Sequence, residues 1–214
     1  MKVTISRSEL SAALVFASEN VRQNILNGVC VEVKRGKQPL LISTDGRAIC
    51  VISTMQEQQS DEPGQFVLKS SFIKAMLQLS KSLGDRKHPF LEIGCEGGAV
   101  NVSFPNTTVV LLDTKNAICE GKFPTWREVV PKKKEARQPL SMLALNTMFI
   151  DKFRRAGREL GVAQPALQMF TSKEKGIVEV RIDKCLQFYG GIMQMNFTEP
   201  LDIQPSFLNL EGTE

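Results

Sequence analysis

Six cations stand at helical spacing in two segments: Lys74 and Lys81 in one, and Lys152, Arg154, Arg155 and Arg158 in the other. Lys74, Gln78 and Lys81 fall at i, i+4 and i+7, on one face of a helix and away from Phe72, Ile73, Met76 and Leu77. The second set lies away from Phe149, Phe153 and Leu160. Cations presented in this way bind phosphate oxygens without reading bases. Aromatic interleaving is nearly absent there, which argues against a platform for stacking single-stranded bases. The plain alternative is a solvated helix surface, the usual place for Lys and Arg.

Catalytic chemistry has little to use. His88 is the single histidine, and it sits in a polar turn at 85–89. There is no Gly-rich phosphate loop, no HExxH and no GxSxG. The five cysteines (Cys30, Cys50, Cys95, Cys119 and Cys185) include no CxxC pair. Reduced, structural thiols are therefore expected, with no zinc and no disulfide framework. Neither an enzyme nor a cofactor or metal is expected. With 214 residues, 42% apolar content and net charge +4, the chain suits a soluble, mildly basic protein. No apolar run is long enough to span a membrane. The first residues lack a signal peptide's apolar stretch, so the expected location is cytoplasmic.

The elements that would carry these cations repeat. Residues 3–10, 66–73 and 143–150 each alternate apolar side chains and then reach a polar cluster able to cap a helix. Each opens a β-α-β-β-β unit. The first unit has a strand at 2–6, a helix at 8–20 and strands at 29–33, 40–43 and 48–53, followed by a polar connector at 56–64. The second has a helix at 71–83 and strands at 90–94, 99–104 and 108–112, with Gly97-Gly98 as a hairpin turn. The third has a strand near 143–146, a helix at 147–160 and strands near 166–171, 176–182 and 186–196. The fold class is α+β. Two units should complete one domain and leave the third as a half-domain, because each unit buries a helix face on a sheet and needs a neighbour.

Three segments carry a family likeness. The run from Val21 to Glu32, followed by Thr44-Asp45-Gly46-Arg47, resembles the "VRxxLNG" and "TDGHRL" motifs in the middle domain of the bacterial β sliding clamp. That family is the processivity subunit of DNA polymerase III. The run from Glu120 to Pro131 is similar to the family's "DGRFPDYRRVLP", and the run from Ile192 to Phe197 to its C-terminal "VMPMRL". The resemblance implies a DNA-clamp fold, with helices lining a ring and sheets outside. It implies a complete clamp domain at 1–131, a linker at 132–138, a half-domain at 139–197 and a tail at 198–214. It also implies a groove for partner peptides, made by Leu26, Thr44, Gly46, Arg47, Ile49, Pro124, Val129, Ile192, Met193, Met195 and Phe197. Glu128 stands where the family usually has arginine, and Gln194 replaces the usual proline.

The implied function is a DNA sliding clamp that encircles double-stranded DNA without sequence specificity and tethers a DNA polymerase. A clamp loader would open it. Twelve units per ring and three per chain give a homotetramer, with a trimer or an open dimer as other solutions. The competing expectation is a clamp-like interaction or decoy protein that binds polymerase or loader without encircling DNA. In the tail, the segment from Gln204 to Leu210 faintly resembles groove-docking peptides; the plain expectation is a disordered polar tail, and the alternative is a segment that occupies a groove and regulates access to it.

Overall fold

A computed structural model describes residues 1–20, 22, 24–55, 62–82, 89–96, 99–104, 110–113, 116–130, 137–138, 143–172 and 176–195. His88, Gly97-Gly98, most of the expected linker, Phe197 and the 198–214 tail lie outside the described residues.

The first unit comprises β1 (Lys2–Ser6), α1 (Arg7–Leu14), β2 (Gly28–Val33), β3 (Leu40–Thr44) and β4 (Ala48–Ser53). The Ser6 hydroxyl accepts from the Glu9 N–H at 3.1 Å, and the Glu9 carboxylate accepts from the Ser6 N–H at 2.9 Å. This reciprocal box starts the helix one residue earlier than the sequence suggests. Glu9 also accepts from the Met55 N–H at 2.7 Å, which ties the start of α1 to the end of β4. The helix stops at Leu14, well short of residue 20, and Phe16 turns into the core.

The second unit comprises β5 (Gly64–Lys69), α2 (Ser70–Ser82), β6 (Phe90–Glu96), β7 (Ala99–Ser103) and β8 (Val110–Asp113). The two units exchange their first strands. β1 lies on β6, placing Ile5 opposite Leu91 and Val3 opposite Ile93. β5 lies on β2, placing Leu68 opposite Val29 and Phe66 opposite Val31. All eight side chains point into the core between sheets and helices, where none exceeds 6% exposure.

The third unit departs from expectation at its start. The expected strand at 143–146 forms no ladder among the described residues; its tie is the Met195 N–H donating to the Ala144 carbonyl at 3.0 Å. A short strand, β9 (Arg137–Gln138), stands instead where a linker was expected. Then come α3 (Thr147–Glu159), β10 (Leu167–Ser172), β11 (Ile177–Ile182) and β12 (Phe188–Met193). The Asn146 side chain caps α3 by accepting from the Met148 N–H at 2.9 Å.

This unit is not left alone. β12 pairs antiparallel with β4, Phe188 opposite Ile52 through Ile192 opposite Ala48. The result is one eight-stranded sheet, β5-β2-β3-β4-β12-β11-β10-β9, beside a four-stranded sheet, β1-β6-β7-β8. α1 packs between α2 and α3, so the helices form one layer over the sheets. Phe16, Phe153 and Phe188 meet edge-on or tilted, with ring centroids 4.9–6.1 Å apart, and fix α3 to β12.

Gly190 makes that contact possible: a Cβ there would lie 2.2 Å from the Phe153 ring. Gly190→Val is expected to destabilise the protein by about 1–3 kcal/mol, read as a fall of roughly 3–10 °C in the thermal midpoint. An unchanged midpoint would contradict this packing.

Candidate partner-binding groove and cationic helix face

Strand alternation divides the eight-stranded sheet into two faces. Val29, Val31, Leu41, Ile52, Leu68, Val178 and Val180 face the helices. Cys30, Ile42, Ile49, Val51, Val67 and Ile177 face the other way, under Phe123 and Trp126 from the segment after β8. Glu32 pins that segment. Its carboxylate accepts from the Trp126 indole at 3.2 Å and from the Arg127 guanidinium at 2.8 Å. The Arg127 bonds, foremost, hold the Glu32 carboxyl below the usual carboxylate range, against the upward pull of burial.

A cleft of about 250 Å³ opens beside this segment. Leu26, Thr44, Gly46, Arg47, Ile49, Pro124, Val129 and Met193 line it together. Phe123, Trp126 and Glu128 complete the apolar floor and one rim. Two expectations fail. Ile192 is fully buried on the helix side of β12, because alternation turns it away from the cleft that Met193 reaches. Met195 is exposed but lies beyond the lining.

The turn between β3 and β4 shapes the cleft. The Thr44 hydroxyl accepts from the Gly46 N–H at 3.0 Å and donates to the Ala48 carbonyl at 2.8 Å. Asp45 accepts from the N–H groups of Arg47 and Ala48 at 2.9 and 2.8 Å. Gly46 has φ +90°, which favours glycine. The third unit grips this turn twice. The Met193 N–H donates to the Arg47 carbonyl at 2.9 Å, and Lys152 Nζ meets Asp45 Oδ2 at 2.6 Å.

Lys152 is therefore not a free cation of the helix face, as the sequence suggested. Its side chain is 18% exposed and committed to Asp45. Sequence spacing could not reveal a partner 107 residues away. Lys74, Lys81, Arg154, Arg155 and Arg158 are exposed on the helix layer. Arg154 shares Asp151 at 2.7 Å, and Glu159 adds an exposed negative charge nearby. Lys74, Lys152 and Arg155 border one shallow depression between the three helices. Among the described residues, no group of three or more His, Cys, Asp or Glu could hold a metal, and no helix is long and apolar enough to cross a membrane.

The two sheets, their exchanged strands and the helix layer define the fold of the bacterial sliding clamp. The chain is similar to DNA polymerase III subunit beta from Borrelia burgdorferi, at 13% identity and TM-score 0.64 over 92% of this chain. It is likewise similar to the sliding clamp of Bacillus subtilis (13%, TM-score 0.64, 92%) and to the beta subunit of Pseudomonas aeruginosa (16%, TM-score 0.62, 92%). It spans 64% of the Borrelia and Bacillus chains and 67% of the Pseudomonas chain. No family model and no curated protein matches the sequence.

Burial pulls the Asp45 carboxyl upward, but the Lys152 ammonium and the Ala48 and Arg47 N–H groups outweigh it, so the net shift is downward. A carboxyl lowered by folding stabilises above its unfolded value, near pH 3.9, and loses that contribution as pH falls through the lower folded value. Asp45→Asn is expected to cost about 1–3 kcal/mol at neutral pH. The difference from the unmodified protein should shrink below about pH 4. Urea unfolding at pH 7 and pH 3 checks this; a difference that does not vary with pH would contradict it.

Proposed function

We propose that the protein is a DNA sliding clamp, a non-catalytic processivity factor that encircles duplex DNA as a homotetramer. The observation that carries the reading is the opposition of two surfaces across one sheet. Exposed cations stand on the helix layer, and an apolar cleft with a polar rim opens on the other face. A ring built with the helices inward would turn Lys74, Lys81, Arg154, Arg155 and Arg158 toward the phosphates. The cleft would then face out, free to take a short peptide of a polymerase or loader.

Retention then comes from enclosure. Individual phosphate contacts can stay weak, which leaves sliding fast, and the tethered enzyme gains local concentration at its template. Four chains at +4 each would bring a total of about +16 to the duplex. Glu128 on the cleft rim would favour a peptide carrying a basic residue at that point, since charge at a rim selects partners.

The test reassembles the protein from separated subunits in the presence of closed circular duplex, then washes at high salt, where phosphate contacts are screened. Bound protein should persist on the circle and fall at least tenfold once a restriction enzyme opens it. Equal loss from circles and linear DNA would contradict encirclement and favour a clamp-like interaction protein.

A further inference from the structure

We infer that Asp45 withholds Lys152 from the phosphates of a bound duplex, so that the grip on DNA and the shape of the cleft depend on one ammonium group. This rests on the reading of the helix layer as a duplex-binding face, and it holds whether or not a ring closes.

Lys152 belongs to both surfaces. Helical spacing puts it beside Arg155 on α3, and the two border one depression with Lys74 of α2. By place, Lys152 is the third cation of that cluster. By bonding, it belongs to the turn between β3 and β4, since its ammonium lies 2.6 Å from Asp45 Oδ2. Lys74 and Arg155 are exposed, whereas the Lys152 side chain is largely covered.

Asp45 divides its bonds between its two oxygens. Oδ1 accepts from the Arg47 and Ala48 N–H groups at 2.9 and 2.8 Å, and Oδ2 takes the ammonium. The ammonium can therefore leave without stripping the turn of these hydrogen bonds. What it leaves behind is a carboxylate 16% exposed and short of a counter-charge. That cost holds Lys152 on Asp45 while no anion competes. A duplex supplies the competitor, with one phosphate charge for about every 1.7 Å of its axis. An ammonium on a flexible four-carbon stem can turn from one anion to the other. Exposed Glu19 and Glu159 also border the depression, and they oppose phosphate there whichever partner Lys152 holds.

The cleft feels the exchange. Arg47 and Ala48 line it, and the third unit holds their turn at two points: the Asp45–Lys152 pair, and the Met193 N–H on the Arg47 carbonyl. Moving Lys152 to phosphate releases the first. Because linkage is reciprocal, a peptide that stiffens the turn draws Lys152 back from the duplex to the same degree.

The experiment measures the affinity of the full chain for a short linear duplex over a series of low salt concentrations, below the thermal midpoint of every variant. Asp45→Asn is expected to bind about three- to tenfold more tightly and to steepen the slope of log affinity against log salt by about 0.9, the value of one added phosphate contact. Lys152→Met should stay within about twofold of the unmodified protein, and the double variant Asp45→Asn with Lys152→Met should lose the gain. Glu120→Gln removes an exposed carboxylate from the segment after β8 and controls for net charge; it should leave the slope unchanged. Trp126, the single tryptophan and a lining residue of the cleft, should change its emission when duplex saturates the unmodified protein, and not in Lys152→Met. A folded Asp45→Asn protein that gains no more than Glu120→Gln overturns the inference. So does a slope that falls by about one contact in Lys152→Met alone, which would place Lys152 on phosphate already. An emission from Trp126 that duplex leaves unmoved overturns the link to the cleft. If the unmodified protein binds no duplex at low salt, the duplex-binding reading fails and takes the inference with it.

Discussion

A unit of this fold does not finish its own sheet. In the first two units the first strand leaves to lie on the other unit, and the strand after the helix receives the other's first strand in return. β1 on β6 and β5 on β2 satisfy this demand for the first two units. The exchange also turns Val3, Ile5, Phe66 and Leu68 into core shared by the two units. An unfilled strand edge is a liability that a folded protein must cover, and the exchange covers it for both units.

A second pairing, β4 with β12, determines where the cleft can form. It brings Met193 beside the turn at Thr44–Arg47 and lets Lys152 reach Asp45 from the helix layer. The cleft thus depends on residues far apart in sequence, held by one ladder, one ion pair and one backbone hydrogen bond. The aromatic trio of Phe16, Phe153 and Phe188 secures the same junction from the helix side. Groove and helix face are consequently two sides of one joint.

Much of this was legible in the residues. The continuous apolar run of Ala48–Ser53, buried on both faces, and the helical period from Phe72 to Met76 locate their elements because local pattern and burial agree. The convergence of Leu26, Thr44 and Pro124 on one cleft followed from family likeness, not from local pattern. What escaped was long-range. The run of apolar residues past Leu14 reads as continuing helix, but the core draws Phe16 out of it. Lys152 reads as one more surface cation, because nothing nearby announces Asp45. Ile192 reads as groove, because strand parity is fixed only once β12 meets β4. Glu32, a lone carboxylate in an apolar strand, was the available signal for the Trp126–Arg127 latch.

The central claim is that these half-domains continue from chain to chain into a closed ring with the helices inside. Electron microscopy of the unmodified protein tests it most directly. The account predicts a flat, closed particle of four chains with a central opening wide enough for a duplex. A compact particle without an opening would contradict it.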